Sequence, residues 1–311
     1  MYIQLNEFDI QNLDINLYKI IYVDEYLKSE NDTIDYSNYY LFIHYNRTNI
    51  ISYNYIYNDL YTDDETTDKI NKKILNFNGK KILIIHDIHD YTFKDGYNSF
   101  YNYLEMFNID LVIGNYMYNK EYEIINSIVN KLNKKICTIP NLVDSNVFRN
   151  YDQEKIYDIL IYGMIADCYV LRKRLLDIIK NNKENWKIRI IEYNEMDGVE
   201  LSKEINKSYL SIATSSIYEY FVFKYIEISL SQSLVIGDMP LQGKKLFDDN
   251  NFININNDMT DDEIINIINI TLNDKKSILE KINMFNSKLE FYKSKYLIFY
   301  HVKAINYLLD V

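Results

Sequence analysis

From about Asp158 onward, apolar runs of four to five residues alternate with longer stretches in which apolar residues recur at helical spacing. The short runs, at 159–162, 187–191, 210–213, 234–237 and 252–255, are rich in Ile, Leu and Val and suit strands buried on both faces of a parallel sheet. The longer stretches, 170–180, 200–207, 222–231 and 261–272, read as helices. Thr260 followed by Asp261, Asp262 and Glu263 supplies a cap and an acidic first turn for the last of them. Such βα alternation predicts a doubly wound α/β domain.

The first half is less regular. Residues 18–23, 40–44, 81–86 and 110–113 read as strands and 97–107 and 121–132 as helices, which predicts a second α/β unit. A last short strand with Pro140 falls within 136–143, and the polar stretch 144–154 leads into the other unit, so the domain boundary is placed there. The division expected is 1–150, 151–290 and a terminal helix in 291–311 that could pack back across the first domain. No repeat of solenoid period occurs.

Composition narrows the function. Lys and Arg number 34 against 45 Asp and Glu, a net charge of −11 that repels phosphate polymers and anionic membranes, so no nucleic-acid partner is expected. Two cysteines, Cys137 and Cys168, form no CxxC pair and no disulfide scaffold, which points to a reducing compartment. No apolar run approaches the ~20 residues that span a bilayer, and the opening segment lacks the flank and centre of a signal peptide. A cytoplasmic protein without a membrane span is expected. The 32 Tyr, with abundant Asn and Ile, suggest codon bias and are discounted as signals.

With only seven glycines and two prolines, glycine positions are informative. Gly114, Gly163 and Gly237 each end or follow a predicted strand, where glycine permits a sharp turn or close approach of a ligand to the backbone. For Gly114 and Gly237 a plain βα turn is the preferred reading. Gly163 opens a loop before a helix whose first turns carry Arg172, Lys173 and Arg174. Cations there oppose the helix dipole, so they fit either a bound anion or a solvated basic face. No GxGxxG or GxxxxGK[ST] motif occurs, which removes the usual support for NAD-dependent hydride transfer and Walker-type ATP hydrolysis.

After the strand near Ala213 come Ser215 and Ser216, then Glu219, Lys224 and Glu227. If Glu219 lies in the loop and Glu227 one to two turns inside the helix, both carboxylates reach the crevice at the strand edge. Free N–H groups of the helix start would then face a phosphate. A carboxylate so placed can accept hydrogen bonds from sugar hydroxyls. In the first half, His86, Asp87 and His89 follow a strong strand and can exchange protons or orient hydroxyls at a cleft edge. The bland alternative is imidazoles hydrogen-bonded at a strand end; a closed metal site is less suited to one short cluster, and no metal is expected.

Taken in order, Ile139-Pro140-Asn141-Leu142-Val143-Asp144 with Phe148, the 157–163 run, Tyr169 to Arg174, Ala213 to Ser216, the Glu219/Glu227 pair, Leu234 to Asp238 and Asp248-Asp249-Asn250 resemble two-Rossmann-domain (GT-B) glycosyltransferases, group 1, CgeB-like branch. The resemblance covers roughly 136–275; the first 130 residues match only in general character. It implies two Rossmann-like domains facing across a cleft, and transfer of a hexose from a UDP- or GDP-linked donor to a glycan or glycoprotein acceptor, retaining and metal-independent. It further implies that Glu227 binds the donor ribose and Glu219 lies against the donor sugar. Arg172 and Lys224 would steady the diphosphate, with Gly163, Tyr169, Arg174, Tyr193, Ser215 and Ser216 around the donor. Two departures stand out: no glycine precedes Gly79, so the usual Gly-rich loop is missing, and Met164 replaces the Arg that commonly follows the second-domain glycine. Either Arg172 does that work or the site is degenerate, which keeps a noncatalytic nucleotide- or glycan-binding module as the alternative. A nucleotide-sugar epimerase is a third reading.

Overall fold

The computed structural model describes residues 19–22, 35–37, 39–44, 72–85, 97–116, 120–138, 143–193 and 195–289. The chain divides into two compact units, the first containing the described residues through Thr138 and the second those from Val143 on.

In the first unit, β1 (Lys19–Tyr22), β2 (Tyr39–His44), β3 (Lys80–Ile85), β4 (Leu111–Gly114) and β5 (Lys135–Thr138) form a parallel sheet in chain order. Helices α1 (Asn98–Met106) and α2 (Lys120–Lys131) join the later strands. Ile82, Leu83, Leu111 and Val112 are fully buried, with Phe100, Tyr103 and Leu104 of α1 and Ile125 and Val129 of α2. The order never reverses among the described strands, so no switch point arises among them.

The second unit has β6 (Tyr157–Tyr162), β7 (Ile188–Ile191), β8 (Ser208–Ile212), β9 (Leu234–Gly237) and β10 (Phe252–Asn254), paired in parallel in the order β10-β9-β8-β6-β7. Here the order does reverse: the chain passes from β6 outward to β7, then returns to the other side of β6 at β8. Alternation along β6 feeds two cores. Leu160 and Tyr162 join one that includes Ile205, Tyr225, Ile226 and Phe285; Ile159 and Ile161 join the other, with Leu171, Leu175, Ile264 and Ile268. Helices α3 (Val170–Asn181), α4 (Gly198–Asn206), α5 (Lys224–Leu230) and α6 (Asp261–Asn273) supply them together with a further helix described below. The expected cap of α6 is a full capping box: the Thr260 N–H donates to Glu263 Oε2 at 2.7 Å and the Glu263 N–H to Thr260 Oγ1 at 3.3 Å.

One helix is absent from the sequence reading. Helix α7 (Lys275–Leu289) follows α6 almost at once, burying Ile278, Ile282, Phe285 and Leu289 at helical spacing. Asp274 marks its start, accepting the Ser277 N–H at 3.0 Å. The terminal helix expected beyond residue 290 lies outside the described residues, as does Pro140. The stretch 143–154 is fastened to the second unit: Val143 is buried in its core, the Arg149 N–H donates to Ser202, and the Tyr151 and Gln153 N–H groups both donate to Asn206.

Candidate active site

A doubly wound sheet offers its crevice at the carboxyl ends of the strands flanking the reversal, here β6 and β8. Two loops meet there, 163–169 after β6 and 213–223 after β8, and the Ile217 N–H donates to the Cys168 carbonyl at 2.8 Å. A third loop, after β9, is bound in through Asp238. Its carboxylate accepts the Ser215 N–H at 2.8 Å and a short bond from the Ser215 hydroxyl, while the Tyr225 hydroxyl donates to the Asp238 carbonyl at 2.9 Å. Gly237 permits this closeness: a Cβ there would lie 1.8 Å from the Ala213 carbonyl oxygen.

Tyr162, the last residue of β6, is buried and donates its hydroxyl to Glu227 Oε2 at 2.7 Å. Lys224 and Glu227 lie three residues apart in the first turn of α5, on one face of the helix. The Lys224 amine stands 3.6 Å above the Tyr162 ring. It also lies against the turn at Gly163, whose φ is +86°; a Cβ at that glycine would come within 2.2 Å of Nζ. Both charged groups keep some solvent contact yet are hemmed in by protein. Burial, with a smaller push from Arg172, lowers the Lys224 amine to about 7 against the pull of Glu227. Burial raises the Glu227 carboxyl, opposed by the Tyr162 hydrogen bond and by Lys224. The Tyr162 phenol is pushed well above its ordinary range, first by burial and then by Glu227.

Arg172 is 1% exposed. Its Nη1 donates to the Met164 carbonyl at 2.9 Å, Nε to Thr214 Oγ1 at 3.2 Å and Nη2 to the Thr214 carbonyl at 3.0 Å. The guanidinium also lies 3.8 Å from the centre of the Tyr169 ring. It thus braces the two loops at the reversal, with Tyr169 beneath it. Arg174 points elsewhere, to Asp261 at 2.7 Å and to the carbonyls of Asn257 and Met259.

Ser215 is taken up by Asp238, and buried Ser216 accepts the Tyr218 N–H at 3.2 Å. Glu219 sits exposed in the loop with a φ of +56°. Tyr193, 63% exposed, rims a cavity of about 350 Å³ between the ends of β6 and β7 that is also lined by Tyr162, Gly163, Ile165, Ile190 and Glu192. His86, Asp87 and His89 lie outside the described residues. The structure therefore brings together Gly163, Tyr169, Arg172, Ser215, Lys224 and Glu227, and leaves Arg174 apart. Tyr162, Thr214 and Asp238 are added; Tyr162 ends β6, Thr214 follows β8 and Asp238 follows the neighbouring β9, and these strand ends are the sequence signal for them. Among the described residues no three of His, Cys, Asp and Glu converge as a metal site, and no helix is long and apolar enough to cross a membrane.

No family profile and no curated protein matches the sequence. Solved structures do match in shape. The pneumococcal O-GlcNAc transferase GtfA, in complex with UDP and GlcNAc, aligns over 88% of this chain and 57% of its own, with a TM-score of 0.55 and 15% identity. Sucrose-phosphate synthase from Thermosynechococcus elongatus aligns over 93% and 77%, with a TM-score of 0.58 and 10% identity. An alpha-glucosyltransferase in complex with UDP-glucose and DNA containing an abasic site aligns over 86% and 80%, with a TM-score of 0.59 and 10% identity. The chain spans little more than half the length of GtfA. These neighbours are GT-B glycosyltransferases, and two α/β units built on parallel sheets give this chain the same fold class.

Proposed function

We propose that this protein is a glycosyltransferase that moves a hexose from a nucleoside diphosphate donor to a glycan or protein-linked acceptor in the cytoplasm, and that its second unit holds the donor. One observation carries the reading: an amine and a carboxylate share the first turn of α5 beside Gly163, at the reversal of the sheet. The carboxylate, Glu227, suits the ribose hydroxyls, and the amine of Lys224 suits the diphosphate. When the bond between the sugar carbon and the β-phosphate oxygen breaks, negative charge grows on the leaving diphosphate, and a nearby cation stabilises it. Glu219 is assigned to the donor sugar. Retention of configuration, independence of metal and kinship with the CgeB-like branch rest on the motif resemblance. The neighbours that carry UDP or UDP-glucose support a uridine donor. A net charge of −11 argues against DNA as acceptor, although one neighbour holds it.

A second reading, a noncatalytic binder, draws on Arg172: with Met164 in place of an arginine and the Arg172 guanidinium committed to Met164 and Thr214, the cationic charge toward the donor is thin. A panel of UDP-, GDP- and dTDP-sugars, assayed for hydrolysis and transfer, separates the two. Turnover with one donor that falls about 10²-fold or more in Glu219→Gln and Lys224→Met is expected. Binding without turnover across the panel would favour the second reading, and absence of binding would remove both.

A further inference from the structure

Lys224 is seated unlike an ordinary surface lysine. Its amine has the Tyr162 ring beneath it and the Gly163 turn against it, and among the described residues it forms no ion pair within reach of a carboxylate. The charges that act on it are Arg172 from α3, which opposes its protonation, and Glu227 from its own helix, which favours it. Four neighbouring ionisable groups have other partners, while Glu219 lies exposed in the 213–223 loop. Tyr162 of β6 donates to Glu227, Tyr169 lies under Arg172, and Tyr225 of α5 bonds to Asp238 after β9, whose carboxylate is held by Ser215. The ring face and Glu227 favour the ammonium while burial and Arg172 oppose it, so near neutrality the amine stands between its two forms. A pyrophosphate group arriving at the Gly163 turn would bring two or more negative charges against it and make the ammonium the favoured form.

We propose that a nucleoside diphosphate enters this site together with a proton, which the Lys224 amine takes up and gives back when the diphosphate leaves. The only bond made or broken is N–H: amine, proton and diphosphate combine to an ammonium–diphosphate pair, and the reverse step returns the proton to solvent. This rests on the donor-site reading above and adds regulation to it, since rising pH then weakens donor binding and speeds diphosphate release. The amine, lowered to about 7, is poised for this near neutrality. Glu227 is the rival acceptor of the proton, because burial raises its carboxyl as well.

The test is calorimetric titration of UDP, and separately of inorganic pyrophosphate, into the full chain at pH 8 in buffers of different ionisation enthalpy. An amine with a pKa near 7 is only about 10% protonated at pH 8, so uptake close to one proton per bound UDP is expected, pyrophosphate serving to show that the diphosphate alone is held. Affinity should fall about tenfold per pH unit between roughly 7.5 and 9. In Lys224→Arg, whose side chain stays charged throughout, binding should proceed with no uptake and little pH dependence; in Glu227→Gln the uptake should persist. Binding by the wild type without proton uptake would overturn the proposal while leaving the donor site standing. So would uptake that survives in Lys224→Arg or disappears in Glu227→Gln. If neither UDP nor pyrophosphate binds, the donor-site reading fails, and this inference with it.

Discussion

Arg172 and Arg174 stand two residues apart on α3 and do different things. At ~100° per residue they point to opposite sides of the helix, so a single anion cannot be held by both. Helical side chains also lean toward the N-terminus, which aims Arg172 beneath the loop that precedes its own helix. That is why it binds Met164 and Thr214 instead of facing outward. Removing it in Arg172→Ala strands the buried carbonyl and hydroxyl of Thr214 and frees the Met164 carbonyl, and should cost about 2–4 kcal/mol of unfolding free energy. Urea denaturation reads this directly; a loss under about 1 kcal/mol would contradict the brace. Glu219 presents the reverse case. A non-glycine residue at φ +56° is held at a cost, about 1–2 kcal/mol for the left-handed region. Glu219→Gly should therefore leave stability unchanged or raise it by about 1 kcal/mol while lowering turnover. Unchanged turnover would show that the strain serves no catalytic purpose.

Among the elements, the strands of the second unit were legible because each is a short Ile-, Leu- and Val-rich run between helical stretches. Their polar beginnings were not: Tyr157 pairs with Ser208 through backbone bonds that need no apolar side chain, so β6 and β8 begin two residues before the apolar runs do. Helix α7 was readable in principle from Ile278, Ile282, Phe285 and Leu289 behind Asp274. Its start is hidden in the sequence because it follows α6 with only Asp274 between them and opens on the polar Lys275, Lys276 and Ser277. At the site, the sequence conveyed Gly163, Lys224 and Glu227 as neighbours of the crevice, since strand ends and loop order determine position. It could not convey which cations turn inward, because that depends on side-chain direction and on acceptors such as the Thr214 carbonyl that belong to a different loop. The importance of α7 is testable. Phe285 packs at 4.6 Å from Phe247, ring centre to ring centre, and is 3% exposed. Phe285→Ala should cost about 3–5 kcal/mol by denaturant unfolding; a cost below about 1 kcal/mol would place α7 outside the core.

At the scale of the molecule, two lysines among the described residues whose amines burial lowers to about 7 make stability depend on pH near neutrality. The Lys155 amine donates to the carbonyls of Ser208 and Gln232, and burial lowers it to about 7, as it does the Lys224 amine. Between about pH 7 and the ordinary lysine value near 10.4, the unfolded chain binds more protons than the folded one, so stability rises with pH. Cys137 acts oppositely. Burial pushes its thiol to about 12, and that contribution is lost progressively above the ordinary thiol range. The clean window is therefore about pH 7 to 8.5, where unfolding free energy should climb, and Lys155→Met should flatten the climb. A fall across that window would contradict the burial of these amines. The central claim is that the reversal of the second sheet grips a nucleoside diphosphate through Glu227 and Lys224. Its most direct measurement is the dissociation constant of UDP for the wild type and for Glu227→Gln. The account predicts saturable binding that weakens about 10-fold or more in the variant. Equal affinity in the two proteins, or no binding by either, would contradict it.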